Sequence, residues 1–114
     1  MFQGLRTVIY QVNDLDKAKE WYTKILGAPP YFDESYYVGF DVDGFELGLM
    51  PDEEWEKAEN VLAYWQVADI HKTYKHLLSH GATEHDPVQE VGDGIYVASV
   101  YDPFGNILGI ITTE

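Results

Sequence analysis

The stretch Ile95-Tyr-Val-Ala-Ser-Val-Tyr101, Asp102-Pro-Phe-Gly105, Asn106-Ile-Leu-Gly-Ile-Ile-Thr112 decides how the chain is interpreted. Two runs rich in β-branched and aromatic residues flank a short turn, which predicts a β-hairpin. Within the turn Asp102 is placed to cap, the ring of Pro103 favours the first central position, and Gly105 fits the exit. A looser version occurs earlier, where strand-like residues 36–42 and 45–50 flank Asp43-Gly44. A chain that forms one hairpin twice is expected to contain two copies of one unit.

Strand and helix signals at matching distances extend the repeat. Residues 6–12 predict a strand, and residues 15–26 place their apolar side chains on one face of a helix between Asp14 and Gly27. Residues 61–67 and 70–80 repeat that order, and Gly81 ends the second helix. Val12-Asn-Asp-Leu15 matches Val67-Ala-Asp-Ile70. The predicted buried stripe of the second helix is Ile70, Tyr74, Leu77 and Leu78.

The remaining segments complete two modules of βαβββ order. Residues 31–34 predict a short extended piece, and residues 83–91 predict an edge or irregular strand because Pro87 interrupts them. The sequence therefore predicts a single α+β domain over residues 1–114, with module 1 at 1–50, an acidic linker at 51–60 and module 2 at 61–114. Because neither half buries its sheet face alone, we expect the strands to form a curved mixed sheet around a concave pocket, with the helices on the convex side.

Composition excludes several classes of function. The formal charge of −13, from 7 Lys and Arg against 20 Asp and Glu, disfavours nucleic acid and anionic membranes as partners. The simplest role of this acidity is solubility. No apolar run approaches a membrane span and no signal-peptide pattern begins the chain, so a cytoplasmic location is the expectation. The absence of cysteine removes disulfides, thiolate nucleophiles and sulfur-ligated metals.

The histidines raise two further hypotheses. His76 and His80 have a spacing that can bind zinc, but no third ligand is in register, so an exposed helix face is the favoured explanation. His71 is also expected to be exposed. The run Glu84-His85-Asp86 sets carboxylates beside an imidazole that they could tune as a general base. However, strand neighbours point to opposite faces, so His85 is predicted to share a face with neither. Three tyrosines are candidates either for the pocket mouth or for cross-strand packing: Tyr36, Tyr37 and Tyr96.

The ordered motifs resemble those of the vicinal oxygen chelate superfamily, which includes glyoxalase I, extradiol dioxygenases, fosfomycin-resistance enzymes and bleomycin-resistance proteins. The resemblance rests on the strand exit and helix of residues 12–27, their repeat at residues 67–81, and the closing Asp102-Pro-Phe-Gly-Asn-Ile107. It covers nearly the whole chain outside residues 51–60. It implies the fold of two βαβββ modules and usually a homodimer, but no single activity, because this fold hosts many.

The resemblance also implies four positions for a divalent metal. In this sequence they correspond to Thr7, Leu62, Gly109 and a fourth-strand position at Glu46 or Gly48. Glu46 is then the single ligand-type side chain, whereas a catalytic metal needs about three protein ligands. We therefore predict no metal and no other cofactor; a divalent metal enters only in the alternative below.

Strand alternation predicts which side chains line the pocket. They form an apolar lining with sparse polar groups: Thr7, Ile9, Gln11, Glu46, Gly48, Met50, Leu62, Tyr64, Gln66, Ile107, Gly109 and Ile111. Such a lining suits a small-molecule ligand, although the same side chains could also fill the space. The leading hypothesis is a metal-independent small-molecule-binding protein, homodimeric, whose catalytic residues, if any, the sequence does not reveal. The alternative is a metal-dependent glyoxalase- or dioxygenase-like enzyme, a lyase or an oxidoreductase, with a non-standard ligand set that includes Glu46.

Overall fold

The structure is a computed structural model that describes residues 1–52 and 61–113. Its contacts divide the chain into two compact units, Met1–Glu56 and Lys57–Glu114, and each unit is described by itself. Most of the predicted acidic linker, residues 53–60, lies outside the described residues.

Unit 1 contains one helix and a four-stranded mixed sheet. In chain order its elements are β1 (Thr7–Val12), α1 (Leu15–Leu26), β2 (Phe32–Glu34), β3 (Tyr37–Val42) and β4 (Phe45–Pro51). The strands lie in the order β1-β4-β3-β2; β1 and β4 are parallel and the other pairs are antiparallel.

The capping residues of α1 explain where the helix begins and ends, and its apolar side chains explain which face of the sheet it covers. The Asp14 carboxylate accepts from the amide of Lys17 at 3.1 Å, and Gly27 ends the helix with φ at 76°. The helix buries Ala18, Trp21 and Tyr22. The ring of Tyr22 lies against aromatic side chains of both β1 and β3, with centroids 6.1 Å from Tyr10 and 6.4 Å from Phe40. The core of unit 1 therefore lies between α1 and one face of the sheet.

Unit 2 repeats this element order. Its elements are β5 (Tyr64–Gln66), α2 (Ile70–Ser79), β6 (Thr83–Gly92), β7 (Ile95–Tyr101) and β8 (Ile107–Thr113). The strands lie in the order β5-β8-β7-β6, again with one parallel pair, β5 with β8. Asp69 caps α2 through the amide of Lys72 at 3.1 Å. The α+β fold of two tandem βαβββ modules is thus confirmed.

Some predicted boundaries differ from the observed ones. The strand predicted over 61–67 is only three residues long, so residues 61–63 lie outside it. Strand β6 continues through Pro87 as the predicted edge strand, but its register with β7 shifts three times. One shift, between Asp86 and Gln89, spans Pro87, which has no amide hydrogen to donate. Leu78, predicted on the buried stripe of α2, is 37% exposed, since Ile70 and Leu77 are the side chains that α2 buries.

The two hairpin turns form as their residues predict. Asp43 and Gly44 both have positive φ, 51° and 90°, as a two-residue primed turn requires. In the second hairpin the Asp102 carboxylate accepts from the amides of Phe104 at 2.9 Å and Asn106 at 2.8 Å. Asp102 is buried, so these bonds supply the partners that a buried carboxylate needs.

Within residues 1–52 and 61–113, no helix is long and apolar enough to cross a membrane.

Candidate functional site

Each sheet has one face that its helix covers and one that it does not. In unit 1 the covered face is buried through Val38, Phe40, Leu47 and Leu49. Residues of the opposite face stand side by side in register: Thr7 beside Glu46, Ile9 beside Gly48 and Gln11 beside Met50. These six predicted pocket residues therefore share one face, as the alternation predicts. Ile9, at 47% exposure, shows that this face is open on unit 1.

The carboxylate of Glu46 is the centre of a polar cluster on that face. The hydroxyl of Tyr31 donates to Oε1 at 2.6 Å, and the hydroxyl of Tyr37 donates to Oε2. Nη1 of Arg6 lies 3.7 Å from Oε1 and also donates to the hydroxyl of Thr7 at 2.7 Å. The Glu46 side chain is 11% exposed, so the two tyrosine donors replace water around it. We call Tyr31, Tyr37 and Glu46 the tyrosine–glutamate cluster.

Two glycines make room for this cluster. Gly39 and Gly48 are direct partners across β3 and β4, and neither has a positive φ. A β-carbon on Gly48 would stand 2.6 Å from Cζ of Tyr37, and one on Gly39 would stand 3.2 Å from Oε2 of Glu46. These glycines are therefore required for space under the aromatic rings, not for backbone conformation.

The hydrogen bonds shift the acidity of all three members of the cluster. Donation by Tyr31, and then by Tyr37, holds the pKa of the Glu46 carboxyl below its ordinary value, against the opposing effect of burial. Burial, and then the bond to Glu46, raises the pKa of Tyr37 to about 12. The bond to Glu46 is also the main cause that raises the pKa of Tyr31. At neutral pH the cluster is one ionised carboxylate with two protonated phenols.

A cavity of about 350 Å³ opens beside the cluster. Its walls combine two aromatic side chains with charged groups and a turn glycine: Arg6, Tyr31, Asp41, Gly44, Phe45 and Glu46. Asp41 and Glu46 are register partners, so two carboxylates stand side by side at its wall. A cavity of this size suits a small organic molecule.

In unit 2 the corresponding face carries different groups. Tyr64 and Ser99 are both register partners of Gly109, and Gln66 is the partner of Ile111. A β-carbon on Gly109 would lie 2.8 Å from Cδ1 of Tyr64, so this ring covers the glycine. The pairing thus sets Tyr64 beside Gly109 and Gln66 beside Ile111, whereas Leu62 precedes β5. Ile107, the partner of Tyr101, is buried. Whether the twelve predicted residues enclose one pocket stays a prediction.

The sequence predicts that His85 shares a face with neither of its sequence neighbours, whereas in the structure its imidazole lies close to the carboxylate of Asp86. Its Nδ1 lies 2.7 Å from the hydroxyl of buried Ser99 and 3.5 Å from Oδ2 of Asp86. A register shift between Glu84 and Asp86 interrupts the regular alternation of β6 at this point. Glu84 instead accepts from the hydroxyl of Tyr74 at 3.0 Å, and the ring of Tyr101 stands edge-on to His85.

The residues at the implied metal positions do not fit a catalytic metal. Thr7 is a weak ligand type, Leu62 and Gly109 have no donor atom in their side chains, and Gly48 is covered by a phenol. Glu46 has a suitable carboxylate, but it is the single ligand-type side chain at these positions. Among the described residues, no three His, Asp or Glu side chains converge on one point.

Sequence reasoning found Glu46 but missed its partners. The sequence predicts Tyr31 only as the start of an extended piece and Arg6 only as the start of a strand. Of the tyrosines that the sequence left open, Tyr37 joins the cluster, whereas Tyr36 is 64% exposed and stands edge-on to Phe32. The sequence contains one indication of these partners. Gly39 and Gly48 stand at facing positions of the predicted hairpin, and paired glycines in strands often leave room for a large side chain above them.

Comparison with known proteins agrees with this architecture. Residues 4–110 match the family described as the Glyoxalase/Bleomycin resistance protein/Dioxygenase superfamily. The chain belongs to that superfamily.

Similar solved structures show the same fold at low sequence identity. A glyoxalase/bleomycin resistance protein/dioxygenase family enzyme from Burkholderia phytofirmans PsJN superposes with a TM-score of 0.83 at 17% identity, covering 98% of this chain and 100% of that one. A bleomycin resistance determinant encoded on transposon Tn5 gives 0.77 at 19% identity, covering 98% and 99%. A glyoxalase-related enzyme from Fulvimarina pelagi gives 0.80 at 17% identity, covering 98% and 89%.

Proposed function

We propose that this protein binds a small organic molecule without a metal and that Glu46 is the main polar contact for the ligand. The observation that carries the proposal is the pair of tyrosine hydroxyls that donate to the two oxygens of Glu46. They fix the carboxylate in place and lower its basicity, because a donor that stabilises the ionised form opposes protonation. Such a group is a poor general base and a good fixed hydrogen-bond acceptor.

The carboxylate keeps capacity for a ligand. An ionised carboxylate has about four lone-pair sites, and the tyrosines use two of them. The cavity beside Glu46 adds the rings of Tyr31 and Phe45, which are 61% and 50% exposed and offer apolar contact area. We therefore expect a ligand with an apolar body and at least one N–H or O–H donor directed at Glu46.

The residues at the metal positions that the family implies support a binding role over metal-dependent chemistry. Thr7, Leu62 and Gly109 cannot complete a ligand set around Glu46. The superfamily includes proteins named for bleomycin resistance as well as enzymes, so binding without turnover is within its range. A homodimer and a cytoplasmic location are further expectations of the proposal.

The test is a thermal-shift screen of tag-free protein in excess EDTA, with bleomycin and a library of small amines, amides and phenols as probes. A ligand present at about 100 times its Kd should stabilise the protein by about 2.7 kcal/mol. For each hit, Glu46→Gln should weaken binding at least about tenfold, since a hydrogen bond to a charged group contributes about 1.5–3 kcal/mol.

Glu84→Gln is the matched control. Glu84 also accepts a tyrosine hydroxyl, that of Tyr74, but on unit 2 and outside the cavity. It should leave the affinity for each hit unchanged. Ligands that bind only when EDTA is omitted and a divalent metal is supplied would overturn the proposal. Stoichiometric metal that is lost in Glu46→Ala would instead support the glyoxalase- or dioxygenase-like enzyme.

A further inference from the structure

The wall of the cavity beside Glu46 carries more negative than positive charge. The carboxylates of Asp41 and Glu46 line it together with the guanidinium of Arg6. Asp41 and Glu46 are register partners on β3 and β4, so their side chains project from neighbouring positions on one face of the sheet. The pKa of Tyr31 is raised by its hydrogen bond to Glu46, then by burial and by the charges of Glu46 and Asp41. Both carboxylates therefore act on the same phenol in the cavity wall.

Arg6 offsets this negative charge only in part. Its side chain is 81% exposed, and its Nη1 lies 3.7 Å from Oε1 of Glu46, which is beyond hydrogen-bond distance. The same nitrogen donates to the hydroxyl of Thr7 at 2.7 Å. An exposed ion pair of this kind contributes little to stability. A cation that donates directly to Glu46 can therefore take the place of the guanidinium beside that carboxylate.

Both carboxylates are held in place and can still accept hydrogen bonds. Oδ1 of Asp41 accepts from the amide of Gly44 at 3.1 Å, within the turn between β3 and β4. The oxygens of Glu46 accept from Tyr31 and Tyr37. An ionised carboxylate has about four lone-pair sites, so these bonds leave sites on each group for a ligand. The two acceptors are therefore ordered before a ligand arrives, which lowers the entropy that binding costs.

Aromatic rings complete the wall and indicate the kind of cation. Tyr31 and Phe45 line the same cavity and are 61% and 50% exposed. The face of an aromatic ring attracts a cation and also offers apolar contact area. Hard metal ions such as Ca²⁺ prefer six or more oxygen ligands, which two carboxylates beside two rings do not supply.

We infer that the cavity beside Glu46 selects organic cations, namely protonated amines that carry an apolar group. The ammonium donates to Glu46 and lies near the charge of Asp41, and the apolar group contacts the rings of Tyr31 and Phe45. The inference rests on the proposed function and adds the charge of the ligand to it. A neutral donor could make the same hydrogen bond to Glu46, but it would gain nothing from Asp41 or from a cation–π contact.

The test compares three probes that share a phenyl group and differ in charge: phenethylamine, phenethyl alcohol and phenylacetate. Nitrogen-15 NMR titrations of tag-free protein in excess EDTA measure each Kd, and the amide signals of residues 41–46 should shift most. The amine should bind at least about fivefold more tightly than the alcohol, since an exposed charge pair and a cation–π contact each contribute a factor of up to about five. Phenylacetate should bind most weakly, and added salt should reduce the preference for the amine.

Two variants locate this preference in the cavity wall. Asp41→Asn removes the charge but keeps an oxygen that can accept from Gly44, and it should weaken amine binding by about threefold to fivefold without changing the affinity for the alcohol. Phe45→Leu should lower the ratio of amine to alcohol affinity by about twofold to fivefold. Asp43→Asn is the matched control, because it removes the same charge from the same hairpin outside the cavity lining. Asparagine also tolerates the positive φ of that position.

The outcomes separate this inference from the proposed function. Equal affinities for amine and alcohol, both weakened by Glu46→Gln, would overturn the inference and leave the proposed function in place. Equal losses in Asp41→Asn and Asp43→Asn would also overturn it, because the net charge of −13 and not the cavity wall would then select the cation. If no probe and no library compound binds in a manner that depends on Glu46, both fail. The comparison of probes uses the wild-type protein, so it gives a result even where a variant fails to fold.

Discussion

Gly48 in unit 1 and Gly109 in unit 2 occupy the same place in the repeat, four residues after the glycine of a hairpin turn, and each lies under a tyrosine ring. The rings come from different strands: Tyr37 is on β3, whereas Tyr64 is on β5. The polar groups nearby also differ. Unit 1 has Glu46 with two phenol donors, and unit 2 has His85 with the Ser99 hydroxyl.

The two units therefore share the glycine under a tyrosine ring but differ in the polar side chains around it. A covered glycine at this position keeps the backbone of both hairpins close to a ring, while the side chains that reach the same face can change freely. The acceptor that we propose for ligand binding therefore occurs in one unit only. Four predictions test this comparison.

The largest effect is expected from Gly109→Ala. Its β-carbon would stand 2.5 Å from the carbonyl oxygen of Ala63, a backbone atom that cannot move alone. Overpacking of this kind costs about 1–3 kcal/mol of unfolding free energy. Gly48→Ala should cost less, because the atoms that its β-carbon would meet belong to the side chain of Tyr37. Urea denaturation of both variants measures the difference, and an equal or larger loss in Gly48→Ala would contradict this explanation.

The next effect is expected from Tyr37→Phe, which removes a part-buried hydrogen bond to Glu46 but keeps the ring over Gly48. The unfolding free energy should fall by about 1.5 kcal/mol, the lower end for a hydrogen bond to a charged group. Tyr31→Phe should cost less, because Tyr31 is 61% exposed and water can replace its hydroxyl. The same denaturation experiment compares the two, and the reverse order would show that the exposed tyrosine is the stronger anchor of Glu46.

A smaller effect is expected from Ser99→Ala in unit 2. The variant removes the hydroxyl beside Nδ1 of His85, but Asp86 remains within 3.5 Å of that nitrogen. The loss should be about 0.5 kcal/mol, at the lower end for a hydrogen bond. A loss of unfolding free energy above that of Tyr37→Phe would mean that the contact between His85 and Ser99 contributes more to stability than the tyrosine–glutamate cluster does.

The fourth prediction concerns pH. The pKa of Tyr37 is raised to about 12 from an ordinary value of about 10, so its contribution to stability is complete below pH 10 and is lost as pH rises towards 12. The pKa of Glu46 is lowered, so its contribution is complete above the ordinary carboxyl pKa of about 4.3 and is lost as pH falls through the folded value.

Carbon-13 NMR of the Glu46 carboxyl measures the second shift directly. Its pKa should lie below the ordinary value in the wild type and rise in Tyr37→Phe and Tyr31→Phe. Glu46 with the same pKa in both variants as in the wild type would rule out the tyrosines as the cause. Tyr74→Phe is the control, since Tyr74 donates to Glu84 in unit 2.

Much of the fold was predictable because its signals are local. Asp14 and Asp69 cap helices through amides three residues away, and Asp43-Gly44 forms its turn from its own backbone preferences. The errors occurred where the pairing of strands overrides local pattern. Strand β5 is shorter than its apolar residues predict, and the register of β6 shifts at Asp86, whose carboxylate lies beside His85.

The sequence alone determined the repeat, the two helices, the hairpins and the face on which Glu46 lies, since each follows from residues close together in the chain. Only the tertiary structure decided what surrounds that carboxylate. Tyr31 is 15 residues from Glu46 and Tyr37 is 9, and they reach it because β2, β3 and β4 pair in one register over glycines that leave room for their rings. The chemistry of the site therefore depends on strand pairing, which no local pattern in the sequence specifies.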